Sequence, residues 1–250
     1  MKNLLLCVLL FTGYITAAQQ PLIHAHNDYE KPEPLFNALR NKAFTIEADV
    51  YPGDSLFVAH DKKDIQPERT LVSMYLQPII KLFATHNGSI SDDTPYAPTL
   101  MIDIKENSVV VIAQLIKLLA PHRNVFDRSI NAHAVQIVLS GERGAINEWS
   151  KLPAFILFDG RPYETYDSVT FKRVAFISDS YMNYMIPKDS IDIKLKQLIT
   201  GTHNKGKLLR LWAIADSEIY WRKLYDMGVD IINTDKVAEC RKYFDAPVMK

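Results

Sequence analysis

Two cysteines in 250 residues are too few for a disulfide scaffold. Lysine and arginine (29) balance aspartate and glutamate (29), so there is no global field of the kind that draws a chain onto nucleic acid or anionic lipid. Nine glycines and 13 prolines beside 48% apolar residues exclude a collagenous, low-complexity or disordered chain. No linker-like Pro/Gly/Ser tract, block of like charge or internal repeat interrupts the sequence, and no glycine-rich phosphate loop follows the first extended run. What is left is one globular domain with enough apolar residues for a substantial core.

One longer apolar run stands at the start. Lys2 precedes it, it extends from Leu4 to Ile15, and the small residues Thr16-Ala17-Ala18 lead into Gln19-Gln20. This pattern predicts a signal peptide over residues 1–18, a mature domain over 19–250, and export to the periplasm or the medium. The run is short for a transmembrane helix. Cys7 follows Leu6 where a lipoprotein site wants a small residue, so it reads as part of the apolar run and not as a lipid anchor. Cleavage removes Lys2 and Cys7, which leaves one more acid than base and Cys240 as a lone thiol.

The mature chain alternates short β-rich runs with helical stretches. Strands are predicted over 22–26, 44–49, 99–104, 135–139, 154–157, 174–178, 208–213 and 231–234, with helices over 34–41, 71–83, 109–119, 191–199 and 217–227. Gly228 ends the last of these helices. Eight strand–helix units imply parallel pairing and a single-domain α/β fold, a (β/α)8 TIM barrel, in preference to an open doubly wound sheet. Pro52-Gly53-Asp54-Ser55 predicts a turn into an added strand over 56–60.

Polar residues end these apolar strands, and in a parallel barrel such ends converge on one mouth. The first strand gives His24 and His26, the second Glu47 and Asp49, the added strand His60 and Asp61, and the third Asp103 and Lys105. Residues two apart share a face, so each like-parity pair points together. Carboxylates crowded in this way repel unless a cation joins them, and oxygen ligands suit one divalent ion, Mg²⁺ or Ca²⁺. Two imidazoles and a lysine beside such an ion suggest acid–base chemistry on a phosphate. His86, His122, His133 and His203 lie in loop-like or helix-flanking polar stretches and receive no role.

At these residues the sequence resembles the superfamily of glycerophosphodiester phosphodiesterases and phosphatidylinositol-specific phospholipases C. Ala25-His26-Asn27-Asp28-Tyr29 is similar to the segment that carries a catalytic His and, in the phospholipase branch, an Asn metal ligand. Glu47-Ala48-Asp49 resembles the metal-binding Glu-x-Asp strand, Val58-Ala59-His60-Asp61 the segment of the second catalytic His, and Ile102-Asp103-Ile104-Lys105 the strand with a third acid and a phosphate-facing Lys. Leu211-Trp212-Ala213-Ile214 and the segment from Met227 to Asp235 resemble the last two strands of the glycerophosphodiesterase branch. The motifs run in order along nearly the whole mature chain. Asn27 stands where the glycerophosphodiesterases carry Arg, Asp103 where both branches usually carry Glu, and no long insertion follows His60.

The resemblance implies a metal-dependent phosphodiesterase of glycerophosphodiester or phospholipid head-group type. Its catalytic residues are His26, His60 and Lys105, and its metal ligands Glu47, Asp49, Asp103 and Asn27. The expected partner is a small-molecule or lipid-derived diester, with at most transient membrane-surface contact and no nucleic acid. Arg161, in Asp159-Gly160-Arg161-Pro162, is either a solvated turn residue or a contact to phosphate or head group; Trp212 and Tyr184 either line a pocket or belong to the core. Two other readings stay open. In one, His24-x-His26 is the metal pair of an amidohydrolase-like barrel; in the other, the barrel binds a phosphorylated ligand without turning it over.

Overall fold

The computed structural model describes residues 20–186 and 190–246; the expected signal peptide, with Cys7, lies outside the described residues. Within these residues nine strands form one sheet: β1 (Leu22–Ala25), β2 (Thr45–Tyr51), β3 (Phe57–Val58), β4 (Thr99–Ile104), β5 (Gln136–Gly141), β6 (Ile156–Gly160), β7 (Val174–Ser180), β8 (Leu209–Trp212) and β9 (Ile231–Thr234). All but β3 pair in parallel, in the order β1-β2-β4-β5-β6-β7-β8-β9, and β9 pairs back onto β1. The result is a closed (β/α)8 barrel. Short β3 folds back antiparallel on β2, Val50 opposite Val58, so the added strand ends before His60 and leaves that residue in the loop beyond it.

The outer layer is helical: α1 (Phe36–Arg40), α2 (Gln77–Thr85), α3 (Ser108–Leu119), α4 (Arg123–Phe126), α5 (Ser168–Phe171), α6 (Ile191–His203), α7 (Glu218–Met227) and α8 (Val237–Asp245). Asn107 caps α3 by accepting the Val110 N–H at 3.4 Å. Gly228 ends α7 with φ +101°, and the next N–H, from Val229, bonds back to Leu224 at 3.0 Å. The helix expected over 71–83 enters through a π-helical turn, Val72–Leu76, before becoming α2. Helix α8 has no counterpart among the sequence expectations, although Val237, Cys240 and Phe244 bury one face of it.

Two apolar regions hold the barrel together. One fills the space between sheet and helices; the other plugs the barrel axis at its N-terminal end, with Met101, Val138, Phe176 and Ile231 at its centre. The strand period of two then carries each inward face from this plug to polar residues one step up: Met101 to Asp103, Val138 to Ser140, Phe176 to Ser178, Ile231 to Asn233. The strands β6 and β7 therefore continue through Asp159 and Asp179, past the ends expected for them at 157 and 178. The polar layer above the plug is the floor of the site.

Candidate active site

At the C-terminal mouth of the barrel a cavity of about 210 Å³ is lined by His26, His60 and Lys105, by Glu47, Asp49, Asp103 and Asn27, and by Arg161 and Trp212. Nine of the candidate residues named from the sequence thus face one space. Ser140 and Arg210 line it as well.

Glu47 and Asp49 project from β2 and Asp103 from β4, where register sets Asp103 directly beside Asp49. One carboxylate oxygen from each of the three lies within 4.8 Å of the others. Gly141 makes room for this approach: at φ +66° it ends β5 against Asp103, and a Cβ there would run into the Ile104 carbonyl and the Asp103 carboxylate. Lys105 Nζ sits 2.7 Å from Asp49 Oδ2 and 2.6 Å from Asp103 Oδ2. Burial pushes the Asp49 carboxyl up to about 6, as does the charge of Glu47, while Lys105 opposes both. Burial also works against the ionised form of Glu47, yet the charges of His26 and Arg210 favour it and the net direction is below the usual range. The crowding expected of a cation-binding cluster is present, and one amine only partly offsets it.

The two imidazoles line the cavity beside this cluster. His26 Nδ1 lies 2.9 Å from Asp235 Oδ1, and its Nε2 lies 3.8 Å from Glu47 Oε2. Burial lowers its pKa, but the bond to Asp235 and the charge of Glu47 outweigh it, so the net direction is upward. His60, with its side chain more than half exposed, sets Nδ1 3.1 Å from the Tyr29 hydroxyl. That hydroxyl is also 2.7 Å from Asp49 Oδ2 and 3.0 Å from Asn27 Oδ1, so one buried phenol joins a proton-transfer candidate to two candidate ligands. Asn27 occupies the left-handed region at φ 49°, a conformation Asn tolerates, and its N–H donates to Glu47 Oε2 at 3.3 Å.

His24 does something else. It is fully buried below Glu47, and its Nε2 lies 2.9 Å from the Arg210 guanidinium and 3.3 Å from Glu47 Oε2. A guanidinium can only donate, so this nitrogen accepts; burial and the Arg210 charge push the ring down to about 4, which keeps it neutral. His24 and His26 do not converge on one ligand position, and the alternative reading of them as a metal pair loses its geometry. Tyr184 is also placed elsewhere: its hydroxyl donates to Asp179 Oδ2 at 2.6 Å, outside the cavity lining.

The sequence reading missed Arg210, Asp159, Ser140, Tyr29 and Asp235. Arg210 is 3% exposed between two core leucines of β8, and its NH2 lies 3.2 Å from the buried Asp159 Oδ2. Arg161 NH1 lies 2.9 Å from the same oxygen. Trp212 packs on both guanidinium groups, at 4.8 Å from Arg161 and 5.6 Å from Arg210. A charged residue inside an apolar strand, at the same parity as a residue of the mouth, was the available signal for Arg210.

Comparison with known proteins agrees with this geometry. Residues 14–142, just over half of the chain and the part that carries His26 through Lys105, match the AIM6-like phosphodiesterase domain. The chain is 24% identical over 262 residues to the altered inheritance of mitochondria protein 6 homolog of Arthroderma benhamiae, covering 89% of this chain and 83% of that one. It is 25% identical over 268 residues to altered inheritance of mitochondria protein 6 of Eremothecium gossypii, covering 88% and 69%. In fold it is similar to the glycerophosphodiester phosphodiesterase of Parabacteroides distasonis, with a TM-score of 0.56, 14% identity, and coverage of 90% and 96%. The enzyme of that title from Agrobacterium tumefaciens gives 0.52, 15%, 90% and 100%. The ordered motifs, the closed barrel and the match over residues 14–142 agree: the chain belongs to the AIM6-like phosphodiesterase family.

Proposed function

We propose that this barrel hydrolyses a phosphodiester of glycerophosphodiester or phospholipid head-group type at its C-terminal mouth. The observation that carries the reading is the convergence of three carboxylates, two imidazoles and a lysine on one cavity. Glu47, Asp49 and Asp103 fit a divalent ion, because their oxygens are crowded, largely buried and only partly neutralised; the Asn27 amide oxygen is a fourth candidate ligand. When bound, Ca²⁺ or Mg²⁺ supplies neutralisation of the phosphate and a lowered pKa for an attacking hydroxyl.

The chain's own residues do the rest. Lys105, held between two carboxylates, presents a charge whose pKa their anions raise even though burial works against it, and so stabilises negative charge developing on phosphorus oxygens. His26 and His60 each have one ring nitrogen engaged, by Asp235 and by Tyr29, which leaves Nε2 of each for the substrate. One takes the proton of the nucleophile while the other delivers a proton to the departing oxygen. Where the substrate bears a hydroxyl next to the ester, its attack on phosphorus expels the alcohol and forms a cyclic phosphate, which water then opens.

We also propose export of the mature chain, on the charged start, the apolar run and the small residues before Gln19. Its partner is a small or lipid-derived diester met with at most transient membrane contact. The deciding assay measures hydrolysis of glycerophosphodiesters, phosphatidylinositol, lysophospholipids and bis(p-nitrophenyl) phosphate, with and without Ca²⁺ or Mg²⁺. Metal-dependent turnover of at least one is expected. No turnover with either ion, together with measurable binding of a phosphorylated ligand, would replace the enzyme by a binding protein.

A further inference from the structure

The cavity is polarised. Carboxylates occupy its β2–β4 side, whereas β6 and β8, which flank the strand across the barrel from β2, bring Arg161 and Arg210. These two guanidinium groups share one carboxylate, Asp159. Arg143, the nearest further arginine on this side, is paired with Glu164 at 2.8 Å and adds no free charge.

The donors of the two arginines are spent differently. Arg210 uses four of its five: Nε to Ser178 at 3.0 Å, NH1 to His24 at 2.9 Å and Asn233 at 3.0 Å, and NH2 to Asp159 at 3.2 Å. Arg161 commits NH1 to Asp159 and to the carbonyls of Asp159 and Gly160. Among the described residues its NH2 has one contact, Ser140 Oγ at 3.5 Å, which is long for a hydrogen bond, and Nε has none. The residue is only 9% exposed. A nearly buried cation with donors to spare, lining a cavity, calls for an anionic acceptor.

We propose that the alcohol carried by the phosphodiester is small and anionic, bearing a carboxylate or a phosphate whose oxygens are received by Arg161. The inference rests on the diesterase reading and adds the substrate class. Trp212 lies against the Arg161 guanidinium, whose paired N–H groups match the two oxygens of such a group. A cationic alcohol would instead meet the like charge of Arg161, beside a ring already in contact with two guanidinium groups. The volume, about 210 Å³, lies below the ~300–1,000 Å³ of pockets for drug-sized ligands, and suits a phosphate with one small substituent.

The test uses p-nitrophenyl phosphodiesters of glycerate, glycerol and 3-trimethylammonio-1,2-propanediol, each with a hydroxyl next to the ester and differing in charge, assayed with the whole protein in Mg²⁺ and in Ca²⁺. The glycerate ester should exceed the glycerol ester in kcat/KM by about 10- to 100-fold, as expected for charge-assisted hydrogen bonds, and the trimethylammonio ester should come last. An ester of glycerol 3-phosphate separates a phosphate site from a carboxylate site by which of the two anionic esters is faster. Arg161→Gln should collapse the glycerate-to-glycerol ratio toward one, and Arg161→Lys should keep part of it; a ratio within one protein is insensitive to how much of a variant folds. Turnover with no preference, or with the cationic ester preferred, would overturn the anionic alcohol and leave the diesterase standing. If no diester is turned over, calorimetric titration with 3-phosphoglycerate against glycerol 3-phosphate decides the matter: preference for the former, lost in Arg161→Gln, supports the anion site, and equal binding overturns it.

Discussion

Nδ1 of His26, just past β1, lies 2.9 Å from Oδ1 of Asp235, just past β9, so the two ends of the barrel strand order meet at one imidazole. Asp235 is itself held, because its N–H donates to Asp216 Oδ2 at 3.0 Å. The other oxygen of Asp216 accepts the Thr234 hydroxyl at 2.6 Å and the Trp221 indole N–H at 2.8 Å. Closure of the barrel thus fixes the ring orientation and tautomer of His26 through a carboxylate more than two hundred residues away in sequence.

Asp235→Asn tests that support. The amide keeps the shape but removes the charge that fixes the proton on Nδ1, so kcat should fall about 10²-fold, at the lower end of what a positioned acid or base contributes. Divalent-ion affinity should change little, since Asp235 lies outside the carboxylate cluster. A kcat within threefold of the parent protein would mean that His26 needs no such partner.

A second expectation concerns the cation. An ion that binds only the folded protein adds about 2.7 kcal/mol of stability at a concentration 100 times its Kd. The melting temperature should therefore rise with added Ca²⁺ or Mg²⁺, and Asp103→Asn, which removes one of the three clustered carboxylates, should abolish most of the rise. An unchanged melting temperature of the parent protein at saturating metal would remove the metal from the proposal.

Most of the barrel was legible because its strands are apolar in a pattern that only parallel pairing explains, and β4 and β9 run as the sequence reading set them. The strand ends were not. Asp159 and Asp179 belong to β6 and β7 because the barrel interior turns polar above its plug, beyond the expected strand ends at 157 and 178. The acidic side of the site was visible as like-parity pairs on single strands. On the basic side Arg161 was visible after its strand but Arg210 was hidden, because it depends on Asp159, Ser178, Asn233 and His24, four residues on four other strands whose nearness only closure creates.

Asp28 gives a pH signature of stability. It is 1% exposed, and burial pushes its carboxyl up to about 6 although the Leu35 N–H at 2.6 Å and the Tyr75 hydroxyl at 2.9 Å favour the anion. A carboxyl with a raised folded pKa binds its proton more tightly in the fold than in the unfolded chain. Its penalty is therefore absent below about pH 4, grows as pH rises through about 6, and is complete above that. Asp28→Asn removes the titration, so its stability relative to the parent should be more favourable at pH 8 than at pH 4 by about 2 kcal/mol, at 1.36 kcal/mol per pKa unit. Urea unfolding at the two pH values measures this, and an equal offset at both would rule it out.

The imidazoles provide the sharpest division of roles. If His26 and His60 exchange protons with substrate while the carboxylates hold the ion, His26→Ala and His60→Ala should each lose about 10²–10⁴ in diesterase rate with metal affinity little changed. Because the two act within one proton-transfer sequence, the double variant should be scarcely worse than the more damaged single one. His24→Ala separates chemistry from support. Its ring accepts from Arg210 beneath the floor and does not line the cavity, so its loss should lower stability, by about 1–3 kcal/mol for an unpaired buried donor, more than it lowers the rate per folded molecule. Near-normal turnover by His60→Ala, or loss of the ion in His24→Ala and His26→Ala together, would require a different mechanism, with the first-strand histidines as ligands.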